Sequence, residues 1–172
     1  MKRIITISGG FAALAFGLIL LSANLLQAQD AARSAGQPAP VWKLKDLAGQ
    51  EVSSDQFKGK VMVVDFWATW CGPCVSEIPG YVALQKKYGS KGLVIVGVSL
   101  DRKGPAHVKK FVDDHAMNYI IVMGDDEITE AFGGFNAIPT TFLISRNGRI
   151  INQKTGAAPA EEYEKLVKSA LE

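Results

Sequence analysis

Cysteine and histidine are scarce in this sequence, and their scarcity narrows the chemistry that the chain can perform. The 172 residues include two cysteines, Cys71 and Cys74, and two histidines, His107 and His115. Neither histidine stands at a metal-ligand spacing from the cysteine pair, so a zinc site is not indicated. Covalent haem attachment needs a histidine directly after the second cysteine, where this sequence has Val75. The pattern favours a redox pair of sulfurs over a metal or haem site.

An excess of charge of either sign is also missing. The chain has 19 Lys and Arg side chains against 17 Asp and Glu, which gives a formal net charge of +2. Neither a nucleic-acid interface nor a polybasic membrane patch is indicated by so even a balance. We find no internal repeat, and the length fits one domain that follows a targeting segment.

The two cysteines stand at the junction of a predicted strand and a predicted helix. The apolar run at residues 61–67 predicts a buried strand, and a helical stretch follows Cys74. At a helix N-terminus, partial positive charge and free backbone N–H groups favour a thiolate at Cys71. Cys74, one turn further on, is placed to attack the mixed disulfide that Cys71 forms. We predict Cys71 as the nucleophile and Cys74 as the resolving thiol; a structural disulfide is the alternative.

Three segments resemble the thioredoxin superfamily. Residues 64–68 (Val-Asp-Phe-Trp-Ala) and 70–74 (Trp-Cys-Gly-Pro-Cys) resemble its signature, and residues 138–140 (Ile-Pro-Thr) resemble the loop that carries its cis-proline. The long separation between Cys74 and Pro139, the apolar N-terminus and residues 74–79 (Cys-Val-Ser-Glu-Ile-Pro) resemble the TlpA/ResA-like branch of extracytoplasmic thiol-disulfide oxidoreductases. The resemblance covers about residues 37–172.

The order of predicted elements is compatible with a thioredoxin fold. Strands are predicted at residues 41–45, 61–67, 93–98 and 119–123, and Asn147-Gly148 predicts the turn of a β-hairpin. Helices are predicted after the two cysteines, from Pro105 and from near Pro159. This alternation predicts an α/β fold with a mixed central sheet flanked by helices. The resemblance adds an N-terminal strand or hairpin extension, and an insertion between the Cys-x-x-Cys helix and the cis-proline loop.

The N-terminus predicts an exported protein. Lys2 and Arg3 precede an apolar run from Ile4 to Leu26, so residues 1–28 are predicted to be a signal peptide or an N-terminal membrane anchor. The positive residues at its start predict a cytoplasmic N-terminus and an exported domain, in the periplasm or at the outer face of the cytoplasmic membrane. Residues 29–40 predict a flexible tether, and residues 41–172 the thioredoxin-like domain.

Two acidic residues are candidates for proton transfer. Asp65 lies within the apolar run, where an unpaired carboxylate is costly, so we expect a raised pKa, a partner or access to solvent. The resemblance implies that Asp65 assists removal of the proton from Cys74. Glu77 lies three residues after Cys74 and shares its helix face. In the branch, an acid here lies near the thiols and affects their pKa; the alternative is a solvated helix glutamate.

The predicted substrate-binding residues surround the two sulfurs. The resemblance implies that Pro139 is cis and packs against the disulfide, with the backbone of Ile138 offered to an extended substrate peptide. Trp70 is predicted to be an exposed aromatic rim. Gly72 and Pro73, which separate the cysteines, complete the predicted surface.

The resemblance implies a protein-disulfide reductase outside the cytoplasm. Its redox-active group would be the Cys71–Cys74 disulfide, without a further cofactor or a metal. The implied partners of the monomer are a disulfide-bearing protein such as apocytochrome c or a copper-assembly protein, and a membrane thiol transporter as electron donor. Two alternatives stay open. A thiol peroxidase would need a threonine where Ala68 stands, and copper carriers of this fold have cysteines that are further apart.

Overall fold

A computed structural model of the protein describes residues 36–172. The predicted signal peptide or anchor at residues 1–28, and the first part of the predicted tether, lie outside the described residues. Between residues 36 and 172, none of the helices combines the length and the apolar character that crossing a membrane requires.

One mixed sheet forms the centre of the described domain, and helices lie on both of its faces. Its strands are β1 (Lys43–Asp46), β2 (Glu51–Ser53), β3 (Val61–Trp67), β4 (Leu93–Ser99), β5 (Ile120–Met123), β6 (Thr140–Ile144) and β7 (Ile150–Thr155). The α-helices are α1 (Gly72–Tyr88), α2 (Pro105–Asp114), α3 (Asp126–Ala131) and α4 (Ala160–Leu171). The strand order is β2-β1-β5-β4-β3-β6-β7.

The direction of the strands confirms the predicted thioredoxin fold. Strands β3, β4 and β5 are parallel neighbours, whereas β1 and β6 pair with this group in the antiparallel sense. β1 and β2 form the N-terminal hairpin extension. Because β6 is antiparallel to β3, Thr140 at its start pairs with Phe66 near the end of β3. This pairing places the loop that contains Pro139 beside the segment that leads to the cysteines.

Strand β3 is buried along its whole length, and its side chains alternate between two cores. Met62, Val64 and Phe66 face what we call the phenylalanine face, which α3 covers and which includes Phe132 and Phe142. Val61, Val63, Asp65 and Trp67 face the opposite side, the tyrosine face. Helices α1, α2 and α4 cover it, and its large side chains include Tyr81, Tyr88 and Tyr163.

Helix α1 buries one row of side chains that starts at Cys74. Ile78 and Leu84 are buried in this row, whereas Val75 and Val82 are only partly buried. The other buried positions of α1 are Cys74, Tyr81 and Tyr88. This row follows the helical repeat from Cys74, which must face the core because its sulfur is tied to Cys71. Val75 and Val82 lie at the edge of the row, where they pack with residues of α2.

The last residues of the predicted tether at residues 29–40 pair with the folded domain. The backbone N–H groups of Gly36 and Ala39 donate to the carbonyls of Ile150 and Gly148, and Ile150 donates to Gln37. Strand β7 is an edge strand, so its outer backbone groups are free to accept this partner. The ordered domain therefore begins before residue 41.

Candidate active site

A disulfide between Cys71 and Cys74 lies at the N-terminus of α1. Cys71 is the N-cap residue, and its sulfur accepts a hydrogen bond from the backbone N–H of Cys74 over 3.3 Å. Cys71 is 6% exposed and Cys74 is 3% exposed. The cap places Cys71 Sγ where unsatisfied N–H groups and the positive end of the helix dipole meet, so a thiolate at this atom would be stabilised.

The surface beside the disulfide is formed by exposed residues of the same segment. Trp70 is 69% exposed, whereas Trp67, which ends β3, is buried at 1% exposure. Gly72 and Pro73 are exposed as well. The exposure of Trp70 agrees with the aromatic rim predicted at this position.

An aspartate from the neighbouring strand fixes the segment that leads to the cysteines. Asp101 follows β4 and accepts hydrogen bonds from the backbone N–H and the hydroxyl of Thr69, over 2.9 and 2.6 Å. Ser99 donates to the same carboxylate over 2.9 Å. Asp101 is 6% exposed, so these bonds form in a largely dry environment. The sequence analysis missed this residue because 32 positions separate it from Thr69.

The loop before β6 contacts the disulfide as the resemblance implied. The Ile138–Pro139 peptide bond is cis. The carbonyl oxygen of Ile138 lies 3.8 Å from Cys71 Sγ, and Pro139 is buried. The backbone N–H of Gly156 donates to the carbonyl of Pro139 over 2.8 Å, which ties the loop to the chain after β7. The predicted residue Ile138 therefore lies beside Cys71, and the cis bond joins it to Pro139.

Asp65 is buried on the tyrosine face with a single hydrogen-bond donor. It is 4% exposed, and Oδ1 accepts a hydrogen bond from the hydroxyl of Thr141 over 2.9 Å. Burial raises the pKa of Asp65 to about 7; the Thr141 bond opposes this rise, the charge of Glu77 adds to it, and that of Lys154 opposes it. The expectation of a raised pKa and a partner is met, because one neutral donor does not offset the loss of hydration.

Glu77 is buried in a charged pair, so the alternative of a solvated helix glutamate is wrong. Its side chain is 8% exposed, and Oε1 accepts hydrogen bonds from Lys154 Nζ over 2.5 Å and from the backbone N–H of Ala158 over 3.0 Å. Lys154 lies on β7 and also donates to the carbonyl of Gly156 over 2.9 Å. Glu77 therefore links α1 to β7 and to the segment that precedes α4.

The structure adds partners that the sequence analysis did not identify. Thr141 and Lys154 hold the two acids, yet they lie 76 and 77 residues away from them along the chain. The available signal for Thr141 was its place two residues after Pro139, directly before the apolar residues of the same strand. His107 and His115 are exposed. No group of three or more potential metal ligands from His, Cys, Asp and Glu occurs within residues 36–172.

Known proteins share this arrangement. The redoxin family model matches residues 34–171. The thiol-disulfide oxidoreductase ResA of Bacillus subtilis (strain 168) is 32% identical over 139 residues, which cover 78% of this chain and 76% of that protein. ResA of Bacillus anthracis is 32% identical over 133 residues, which cover 77% and 76% of the two chains.

A solved structure gives the same result. The crystal structure of a thiol:disulfide interchange protein of the thioredoxin family from Chlorobium tepidum TLS has a TM-score of 0.74 and 34% sequence identity to this protein. The match covers 80% of this chain and 97% of that chain. This chain therefore belongs to the redoxin family and, within the thioredoxin superfamily, is a TlpA/ResA-like thiol-disulfide oxidoreductase.

Proposed function

We propose that this oxidoreductase works as a reductase of protein disulfides outside the cytoplasm, with Cys71 as nucleophile and Cys74 as resolving thiol. The observation that carries the assignment is the position of Cys71 Sγ as the N-cap of α1, where it accepts the Cys74 N–H over 3.3 Å. A cap sulfur has its thiolate stabilised by that N–H and by the helix dipole. Cys74 lies within the first turn of the helix and has no comparable position.

The proposed reaction proceeds in two exchanges. The Cys71 thiolate attacks one sulfur of the substrate disulfide, forms a mixed disulfide and releases the other substrate sulfur as a thiolate. Cys74 then loses its proton and attacks Cys71 Sγ, which releases the second substrate sulfur. The substrate gains two electrons and two protons, and the enzyme ends as the Cys71–Cys74 disulfide seen here. The redox group is this sulfur pair, without a further cofactor.

Asp65 is proposed to accept the proton of Cys74. A buried thiol is a weak acid, so it needs a nearby base whose own pKa is close to the working pH. The pKa of about 7 that burial gives Asp65 meets that requirement. Asp65 also lies on the tyrosine face of β3, between Val63 and Trp67, and Trp67 packs in the same cluster as Cys74.

Glu77 is proposed to tune this chemistry rather than to carry a proton. Oε1 is occupied by Lys154 and by the backbone N–H of Ala158. Its negative charge raises the pKa of Asp65, and the charge of Lys154 lowers it. The pair therefore acts on Asp65 through its electrostatic field.

The substrate is proposed to be an extended segment of a disulfide-bearing protein. Trp70, Gly72 and Pro73 offer an exposed surface, and the Ile138 carbonyl lies 3.8 Å from Cys71 Sγ. A strand that passes this carbonyl would bring its own sulfur to Cys71. Apocytochrome c, whose haem-site cysteines form such a disulfide, is the substrate that we propose first. A copper-assembly protein is the second.

Export and partners complete the proposal. The positive start and apolar run of residues 1–28 support a signal peptide or membrane anchor, which would place the domain in the periplasm or at the outer face of the cytoplasmic membrane. A reductant in an oxidising compartment must be recharged, so a membrane thiol transporter is the proposed electron donor of this monomer.

Trapping tests the assignment of the two cysteines. In the full-length Cys74→Ala variant, mixed disulfides cannot be resolved, so substrates should stay attached to Cys71. The matched control is Cys71→Ala, which should trap nothing. Iodoacetamide should label Cys71 before Cys74 in the reduced wild type. Trapping by Cys71→Ala, together with faster labelling of Cys74, would reverse the two roles.

The alternatives need separate measurements. A thiol peroxidase would consume peroxide at a rate that depends on Cys71, and a copper carrier would bind copper stoichiometrically when reduced. The reduction potential separates a reductase from an oxidase. We expect a value nearer to that of thioredoxin, about −270 mV, than to that of DsbA, about −120 mV.

A further inference from the structure

A small cavity opens between α1 and α4 on the tyrosine face. Its volume is about 60 Å³. Ser76 and Ala160 line it and are exposed, whereas Glu77, Tyr81 and Tyr163 line it and are largely buried. A water needs roughly 10–15 Å³ of such volume and two or more polar partners. The cavity is therefore large enough for water and reaches from the surface towards the interior.

Two polar atoms of the cavity wall need a partner. The hydroxyl of Tyr163 and Oε2 of Glu77 are buried, and no side chain or backbone group of residues 36–172 hydrogen-bonds to either. Tyr163 is 3% exposed. Leaving such groups unpaired costs about 1–3 kcal/mol each, and more where the group is charged. Both residues line the cavity that Tyr81 also lines.

A chain of hydroxyls connects this cavity to Asp65. Tyr81, which lines the cavity, has its hydroxyl 3.2 Å from Thr141 Oγ1, and Thr141 donates to Asp65 over 2.9 Å. Thr141 has one hydroxyl proton and gives it to Asp65, so Tyr81 is the donor in the first of these bonds. The connection therefore runs from the cavity through Tyr81 and Thr141 to the Asp65 carboxylate.

Asp65 needs such a connection because it has little direct contact with solvent. Its exposed fraction is 4%. The cavity opens to the surface beside Ser76 and Ala160, so it offers the proton of Asp65 a way to solvent.

We propose that Thr141 and Tyr81 form a proton relay that carries the proton of Asp65 to water in this cavity. The proposal rests on the proposed role of Asp65 as acceptor of the Cys74 proton. Once protonated, Asp65 donates to Thr141, and both hydroxyls rotate to donate outwards. One proton then moves from Asp65 to Thr141, one from Thr141 to Tyr81, and one from Tyr81 to water. Both hydroxyls end neutral and Asp65 ends ionised.

The groups around Asp65 suit a relay of neutral hydroxyls. Burial raises the pKa of Tyr81 well above its usual value, and the charge of Asp65 raises it further, so Tyr81 passes protons without becoming a phenolate. The titratable and charged side chains that act on Asp65 or respond to its charge come from every element around it. They are Tyr81 and Glu77 of α1, Tyr119 before β5, Lys154 of β7 and Tyr163 of α4.

Single-turnover kinetics of the full-length protein test the relay. The reduced enzyme is mixed with a disulfide peptide, and the formation and resolution of the mixed disulfide are followed on both sides of neutral pH. Tyr81→Phe should slow resolution about tenfold and leave formation unchanged; the effect is smaller than the roughly hundredfold or more that a general base itself contributes, because Asp65 is still present. The matched control is Tyr88→Phe, which also removes a hydroxyl from a buried ring of α1. The hydroxyl of Tyr88 donates to Glu164 and is not part of the proposed relay. It should leave both steps unchanged.

Two further variants distinguish a relay from a packing effect. Thr141→Val should slow resolution as Tyr81→Phe does, and Thr141→Ser, which keeps the hydroxyl, should restore the rate. In an Asp65→Asn background, Tyr81→Phe should cause no further slowing, because the relay then has no proton to carry. Equal slowing in that background would overturn the relay. If Tyr81→Phe resolves the mixed disulfide at the wild-type rate, the relay is overturned too. In that case slow resolution by Asp65→Asn would leave the proposed role of Asp65 intact. A fast Asp65→Asn variant would instead overturn the proposed function of Asp65.

Discussion

The two faces of the sheet share strand β3 but differ in chemical character. On the phenylalanine face, the ring of Phe66 has its centroid 4.6 to 6.0 Å from those of Phe132, Phe135 and Phe142. On the tyrosine face, Asp65 and its partner Thr141 lie among buried tyrosines. Neighbouring residues of one strand therefore serve different ends, because successive side chains point to opposite sides.

The phenylalanine face stabilises the fold, whereas the tyrosine face includes groups whose burial costs stability. Aromatic and aliphatic contacts on the phenylalanine face bury apolar surface and no carboxyl group, so they stabilise the fold. The tyrosine face buries two carboxyls, and only Glu77 has a cation as partner. Asp65 has a hydroxyl alone, so its ionised form is destabilised. This cost keeps the carboxyl ready to take up a proton near neutral pH.

The largest expected effect on stability comes from the phenylalanine face. Phe142 is fully buried and lies next to Thr141 on β6, with its side chain on the opposite face. Phe142→Ala should lower the free energy of unfolding by about 3–5 kcal/mol, because a cavity replaces the ring contacts. The pKa of Asp65 should stay near 7.

Urea denaturation and NMR titration of the Asp65 carboxyl would measure the two quantities. Ile151→Ala is the control, since Ile151 is 42% exposed on β7 and its truncation should change stability little. A large change in the Asp65 pKa on Phe142→Ala would show that the two faces are coupled, contrary to the comparison.

The sequence predicted those features whose signal is local. The apolar run at 61–67 predicted β3 with the bounds that the structure has, and the Cys-x-x-Cys motif predicted the start of α1. The resemblance implied the cis peptide bond before Pro139. Each of these depends on a few consecutive residues.

Features that depend on register between distant strands were not predictable in this way. The contact of Asp65 with Thr141 follows from the antiparallel pairing of β3 with β6, in which these two residues are direct partners. The pairing of Glu77 with Lys154 depends on how β7 is placed beside α1. From the sequence, Glu77 could either tune the thiols or be an ordinary solvated residue. Helix periodicity indicates which face a residue occupies but not what covers that face.

The second prediction concerns the tyrosine face and depends on pH. In the unfolded chain the pKa of Asp65 is close to its ordinary value of 3.8, and in the folded chain it is about 7. Between these values the unfolded state releases its proton while the folded state keeps it, so stability falls as pH rises through this window. The difference in pKa corresponds to about 4 kcal/mol.

Asp65→Asn removes this penalty. Below about pH 4 the variant and the wild type should have similar stability, and above about pH 7 the variant should be more stable by up to about 4 kcal/mol. Urea denaturation of the disulfide form across pH measures the difference, and Asp46→Asn, at an exposed turn, serves as control. A pH-independent difference between variant and wild type would contradict the raised pKa.

A smaller effect is expected from the charged pair on the tyrosine face. Lys154→Met keeps most of the side-chain volume but leaves the carboxylate of Glu77 without its cation. We expect a loss of about 2–3 kcal/mol, because Glu77 is 8% exposed and keeps only the Ala158 N–H as donor. The exposed pair of Lys87 with Glu164 is the matched control, and Lys87→Met should change stability little. If both variants lose the same stability in thermal unfolding, burial does not make the pair of Glu77 with Lys154 more stabilising than the exposed pair.

The smallest expected effect is a change in the pKa of Asp65 when Glu77 loses its charge. Glu77→Gln preserves the shape of the side chain and its bond to the Ala158 N–H but removes its charge. Two changes then act on Asp65 in the same direction, since the charge that raises its pKa is gone and the opposing charge of Lys154 is no longer neutralised. The pKa of Asp65 should therefore fall from about 7, and the decline of stability with rising pH should end at a lower pH and be smaller in total.

NMR titration of the Asp65 carboxyl in the disulfide form measures this shift without interference from the thiols. If Asp65 accepts the proton of Cys74, the acidic limb of the pH–rate profile for resolution should move to lower pH by the same amount, because the base form is then available earlier. Glu164→Gln is the control: Glu164 lies on α4, its carboxylate pairs with Lys87, and it is not among the charges that act on Asp65. If the pKa of Asp65 moves while the pH–rate profile for resolution does not, the titration of Asp65 is not linked to the proton loss of Cys74. Glu77 would then tune a carboxyl that takes no part in the exchange, and the tyrosine face would have to give Cys74 another base.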